Sequence, residues 1–286
     1  MTEVILRYSY LRVFAVETEV PPILVASRSA PEQRTRAKYL TDIFGQKIEF
    51  EHWGKAFVYM PISVDEMEDG AVCSGRIGAQ KTQSINASPD ELFEPETVTN
   101  WIASNFLIDT RNYNDGQKIA MQGRPEVGRP LSILSSLIKH INAANPDSGW
   151  LLSVNAITER TTFWEAVEEY KGQITRAEFH YVTPNVLGLR SKINKRLKGY
   201  KTDENANHVT VVLENEKGDL VLDSQEVKDA VEYTSEGGGS TKLKVGANKV
   251  YDSQDDEKAV TVETDDQFAL EEPKARENII MRLFKK

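Results

Sequence analysis

The sequence predicts an α+β protein of two domains, each a mainly antiparallel sheet with packed helices. Three observations lead there. Runs that alternate apolar and polar residues at a period of two recur along the chain, interleaved with amphipathic stretches of helical period. Tight-turn signals, among them Gly54 and Asp115-Gly116, join several of the strand-like runs. The nine residues QGRPEVGRP, 122–130, hold two glycines and two prolines and read as a linker. That linker separates a strand-rich domain at 1–125 from a mixed domain at 126–286, which carries an acidic tail and a terminal amphipathic helix.

Residues 3–18, EVILRYSYLRVFAVET, alternate as a strand with one buried face should, and Pro21-Pro22 ends them. Ser29 before Pro31 marks a helix start, and Ala37, Leu40, Ile43 and Phe44 form its apolar stripe as far as Gly45. QKIEFEHW and KAFVYMPI make two strands about Gly54, and AVCSGRIGA a third. GRIGAQKT has the glycines of a phosphate cradle but neither the GxxxxGK[ST] spacing nor a following helix, so it reads as a strand or bulge. FEPETVTNWIAS after Ser88-Pro89 reads as a helix, and FLIDT with QKIAMQ as a hairpin.

In the second half, LSILSSLIKHINAA places Leu131, Leu134, Leu137, Ile138 and Ile141 on one helical face. GWLLSVNAIT is a strand and FWEAVEEYKG a helix, whose Glu165, Glu168 and Glu169 read as a solvated face. An alternating strand over 174–183 precedes a basic helix, a polar loop and a strand pair in HVTVVLENEKGDLVLDS. SQEVKDAVEYTSEGGG is a helix with Val227, Ala230, Val231 and Tyr233 inward, stopped by the triple glycine. A hairpin about Gly246, a strand KAVTVET and the basic amphipathic helix KARENIIMRLFKK complete the chain, with no repeat of solenoid length.

Composition narrows the class. Hydrophobic residues at 40% and charged residues at 28% are globular values and argue against wholesale disorder. No apolar run has the length of a membrane span, and the N-terminal residues lack the pattern of a secretory signal, which argues for a cytoplasmic protein without a membrane partner. The lone Cys73 cannot form an internal disulfide, and reads as an inert buried thiol. His52, His140, His180 and His208 are scattered without a ligand spacing, and no cofactor or metal site is expected.

The formal charge of -9 is unevenly placed: residues 202–286 hold 20 acids and 11 bases, while residues 1–201 balance. Against that background, Arg190 to Lys201 carries six cations in twelve residues and no acid. Leu189, Ile193 and Leu197 form one apolar stripe, and Arg190, Lys192, Lys195, Arg196, Lys198 and Lys201 occupy the rest of the helix surface. A row of cations suits phosphates along a nucleic-acid backbone, without the mixture of side chains that reads base edges. Two other readings stand beside it: a solvated outer face, or neutralisation by the downstream acids Asp252, Asp255, Asp256, Glu257, Glu263, Asp265, Asp266, Glu271 and Glu272.

Enzymatic signatures are fragmentary. No GxSxG, HExxH, Walker or dinucleotide fingerprint is present. Asp115 with Lys118, and Glu214 with Glu216-Lys217, match pieces of a carboxylate and lysine nuclease site, but both lie at turns where such residues are common for conformational reasons.

From Trp150 onward, and at HVTVVLENEKGDLVLDS followed by EVKDAVEYTSEGGG, the order of strands and helices resembles the RexA-like prokaryotic proteins of phage exclusion and defence. The resemblance is architectural and covers mainly the C-terminal half. It implies a non-enzymatic, dimeric protein that binds DNA without sequence specificity and senses infection. The expectation is therefore a binding or sensing protein that contacts nucleic acid, as a homodimer or with a protein partner. The alternatives are a metal-dependent nuclease or hydrolase, and a protein-interaction component of a larger complex.

Overall fold

The computed structural model describes residues 4–18, 35–112, 117–183, 192–264 and 269–284. Among the described residues, two antiparallel sheets and six helices make an α+β fold. Strand β1, Val4–Glu17, is its axis. The larger sheet runs β12 (Ala259–Thr264), β1, β6 (Lys118–Gln122), β5 (Pro95–Asp109), β4 (Gly70–Asn86), β3 (Lys55–Met67) and β2 (Ile48–His52). Strand β7, Trp150–Ala156, pairs with residues 11–17 of β1, beyond the stretch that pairs with β12. The larger sheet thus draws strands from both sides of residue 125.

Sequence alternation sorts the side chains of β1 into three cores. Leu11, Val13 and Ala15 pack under α1 (Arg36–Phe44) and α2 (Pro130–Ala144). On the other face Leu6, Tyr8 and Tyr10 pack under α6 (Pro273–Phe284), while Phe14 and Val16 enter the core of the smaller sheet. The expectation of one buried face is therefore corrected: from Tyr10 to Val16 both faces are buried, because helices and the second sheet cover what a two-layer fold would leave to water.

The smaller sheet runs β11 (Asn248–Asp252), β10 (Gly239–Val245), β8 (Arg176–Val182) and β9 (His208–Glu214). Helices α3 (Arg160–Glu169), α4 (Lys192–Glu204) and α5 (Gln225–Tyr233) contribute to its core. Ser224 caps α5 by accepting from the Val227 amide, and Val227, Ala230, Val231 and Tyr233 are buried.

Three local readings change. Helix α1 starts after Thr35, whose hydroxyl accepts from the Lys38 amide; Ser29 and Pro31 lie outside the described residues. FEPETVTNWIAS is strand: a short 3-10 turn at Pro89–Glu91 returns the chain, and Pro95–Asp109 pairs along β4 from Asn86 back to Val72. Thr97, Val98, Thr99, Trp101 and Ile102 suit that ladder better than a helix. In GDLVLDS, residues 219–223 are irregular, with Leu222 buried and Val221 exposed, so only the first strand of the expected pair forms.

Gly75 lies where a Cβ would meet the Met60 carbonyl and the Tyr59 ring, each at 2.6 Å; it serves packing between β3 and β4. No helix among the described residues is long and apolar enough to cross a membrane.

The junction between the sheets is compact. Arg12, 2% exposed, donates through Nε to the Glu236 carbonyl at 2.6 Å, and the Thr158 amide donates to the Ser235 carbonyl at 2.9 Å. At Gly239 an added Cβ would stand 1.8 Å from the His180 carbonyl oxygen. Gly239→Ala is expected to lower stability by about 3 kcal/mol in urea unfolding, because backbone has to move to admit the methyl. Cys73 is fully buried, and desolvation pushes its thiol up to about 12. Ellman's reagent should leave it unlabelled in the folded protein and label it only after denaturant unfolds the chain.

Candidate nucleic-acid interface

Helix α4 forms where the sequence predicts a basic helix, and its apolar stripe is buried: Ile193 and Leu197 are 5% and 2% exposed. They pack on the face of β8 and β9 that carries Phe179, Tyr181, Val209 and Leu213. Between that face, α4 and α5 lies a mostly apolar cavity of about 200 Å³ with Arg196, Ser224 and Glu226 among its lining residues.

The six predicted cations have different environments. Arg190 lies outside the described residues, and Lys192 opens α4 with its side chain outside them. Lys195 and Lys198 are exposed. Arg196 is also exposed and pairs with Glu226 of α5. Lys201 is half-buried, and its ammonium donates to Asn205 Oδ1 at 2.8 Å and Asn207 Oδ1 at 2.9 Å. Those bonds tie the end of α4 to the turn before β9, which gives Lys201 a structural task.

Four of the downstream acids meet other cations, while for Asp256 and Glu263 no ion pair is found among the described residues. Asp252 pairs with Lys242 at 3.5 Å and Lys249 at 3.2 Å, and Asp255 with Lys249 at 2.8 Å and Arg129 at 2.7 Å. Glu257 pairs with Arg129, and Glu271 with Arg76. Glu272 accepts from the Ala275 amide at the start of α6. Asp265 and Asp266 lie outside the described residues. Among the described residues, the acid that reaches α4 is Glu226, on the neighbouring helix.

The opposite face of the smaller sheet holds residues that sequence reasoning passed over. His180 of β8 stands between Ser240 of β10 and Thr210 of β9 in one cross-strand row. Its Nδ1 is 2.9 Å from Thr210 Oγ1 and its Nε2 3.4 Å from Glu178 Oε2. His208 lies one step along, opposite Val182. These side chains, with Lys242 and Gln254, face Ser153 and Asn155 of β7 across a cleft of about 330 Å³. The histidines are 28 positions apart, so only strand pairing reveals them as neighbours.

Glu178 anchors this face. Lys244 at 3.0 Å and Arg176 at 2.6 Å hold it, and the Lys244 hydrogen bond, ahead of that from Arg176, draws its carboxyl down to about 2 against the opposing effect of burial. For the nuclease reading, Asp115 lies outside the described residues, and the exposed Glu214 pairs with Arg176 at 3.1 Å. Among the described residues no three His, Cys, Asp or Glu side chains form a group able to hold a metal ion. Comparison with protein-family models, curated proteins and solved structures finds no match to this chain.

A carboxyl whose folded value lies below its unfolded one stabilises the fold above the unfolded value, and loses that contribution as pH falls through the folded one. The melting-temperature gap between the wild-type protein and Glu178→Gln should thus be full above about pH 5 and close as pH falls toward 2.

Proposed function

We propose that the protein is a non-enzymatic binding or sensing protein that contacts nucleic acid without sequence specificity through the solvent face of α4. The observation that carries this reading is the exposure of Lys195 and Lys198 on a helix anchored by Ile193 and Leu197, while Asp252, Asp255, Glu257 and Glu271 engage cations elsewhere. Ammonium groups on a fixed helix neutralise backbone phosphates and release their counterions, which supplies affinity without sequence. Arg196 joins them by exchanging Glu226 for a phosphate; an exposed pair of this kind is worth about 0–1 kcal/mol and is readily given up. A setting in phage defence and a homodimeric state belong to the same proposal and rest on the resemblance of the C-terminal half.

Fluorescence polarisation with random-sequence duplex DNA at two salt concentrations tests the reading. Lys195→Ala with Lys198→Ala is expected to weaken binding to all sequences alike, and to flatten the plot of log K against log salt by about 0.9 for each phosphate no longer neutralised. An unchanged slope removes α4 from the interface.

A further inference from the structure

We infer that the cleft between β7 and the outer face of the smaller sheet is a binding site for a small phosphate-bearing anion. It lies on the side of β8 and β9 opposite the α4 side, and does not rest on the nucleic-acid reading.

Size and chemistry point the same way. At about 330 Å³ the cleft is at the lower end of small-molecule sites, which run from about 300 to 1,000 Å³. Its walls come from four strands and present an amide at Asn155, hydroxyls at Ser153 and Ser240, an imidazole at His208 and an ammonium at Lys242. No carboxylate is among the described residues that line it.

Two of those groups are unsatisfied. Asn155 is 9% exposed, and its buried Nδ2 has no hydrogen-bond partner; the buried Ser153 Oγ is in the same position. Buried side-chain donors nearly always find an acceptor, so two such groups together on one wall call for an oxygen-rich occupant. Lys242 has Asp252 at 3.5 Å, but that carboxylate also holds Lys249 and accepts from the Gln254 amide, which leaves the Lys242 ammonium able to take a second anion.

His180 is fixed by Thr210 and Glu178 and acts as wall. For His208, by contrast, no hydrogen bond or ion pair is found among the described residues. Separate point donors arriving from β7, β9 and β10 suit a tetrahedral phosphate, whereas a planar carboxylate is better met by the arginine fork that this cleft lacks among its described lining. The phosphate belongs either to the inorganic ion or to a small monoester.

Isothermal titration calorimetry on the full chain, with inorganic phosphate in one arm and adenosine 5′-monophosphate in the other, tests the site and separates the two sources. Saturable binding is expected in at least one arm. Lys242→Met and His208→Gln, on different strands, should each weaken it by about tenfold, a loss in keeping with one charge-assisted hydrogen bond. Val221→Ser, outside the cleft, should leave it unchanged, and the melting temperature of each variant checks its fold. Absence of saturable heat in both arms up to about 10 mM, or equal affinity in the wild-type protein and both cleft variants, overturns the assignment. DNA binding measured in parallel should be unaffected by Lys242→Met, so failure here and failure of α4 as an interface are read separately.

Discussion

A guanidinium at 2% exposure carries five N–H donors out of reach of water, so acceptors have to be brought to Arg12 wherever β1 lies. They come from 224 residues away in sequence: the Glu236 carbonyl at 2.6 Å and the Glu236 carboxylate at 3.9 Å. Gly237 follows with a φ of +86°, and an added Cβ there would lie 2.7 Å from the Cβ of Arg12. The segment after α5 is thereby pressed against the middle of β1. Strand β10 begins at Gly239, two residues later, so the smaller sheet starts directly beside the Arg12–Glu236 bond. Leu6, Tyr8 and Tyr10 on one side of Arg12, and Phe14 and Val16 on the other, can then belong to two different cores on one face of one strand.

Much of this was legible in the sequence wherever the signal was local. Helices α2, α4, α5 and α6, and strands β2, β3, β7, β8, β10, β11 and β12, lie where periodicity and turn residues placed them. The triple glycine read as the end of α5, but the α-helix ends at Tyr233 and a π-helical turn, Thr234–Gly238, carries the chain on to Gly237; the task of that glycine at Arg12 depends on a partner that no local window contains. FEPETVTNWIAS misled because Ser88-Pro89 and its acids imitate a helix start, while the β-branched residues that follow belong to a long hairpin with β4. Arg12 sits in the alternating run 3–18 as one polar position among apolar ones. Its burial follows from long-range packing that overrides local polarity.

The same limit separates what was found of the candidate sites. A run such as Lys195 to Lys198 is visible because a helix brings near neighbours together, and the structure adds that Glu226, from α5, is the acid that answers it. The cleft histidines are invisible by the same logic. His180, Thr210 and Ser240 form one row only after β8, β9 and β10 pair in a definite register, and a one-residue slip would turn them onto the other face. Asn155 and Ser153 complete the cleft only because β7 pairs with β1 opposite Arg12 and Phe14. Register at the junction therefore determines the chemistry of the cleft beside it.

Net charge is a poor guide to either surface for a related reason. Part of the acidic excess of the last third is spent locally: Asp252 and Asp255 hold Lys242, Lys249 and Arg129, and Glu271 holds Arg76. At physiological ionic strength exposed charges are screened over about 8 Å, and packed layers of secondary structure stand about 10 Å apart. A phosphate approaching α4 is governed by Lys195, Arg196, Lys198 and Glu226, and one entering the cleft by Lys242 with Asp252 at 3.5 Å, by Glu178 behind His180, by His208 and by the dipoles of Asn155 and Ser153. Acids engaged beyond that range set the charge of the whole molecule without setting the potential at either face. One small sheet can in this way carry two separate anion-facing surfaces on a chain whose formal charge is -9.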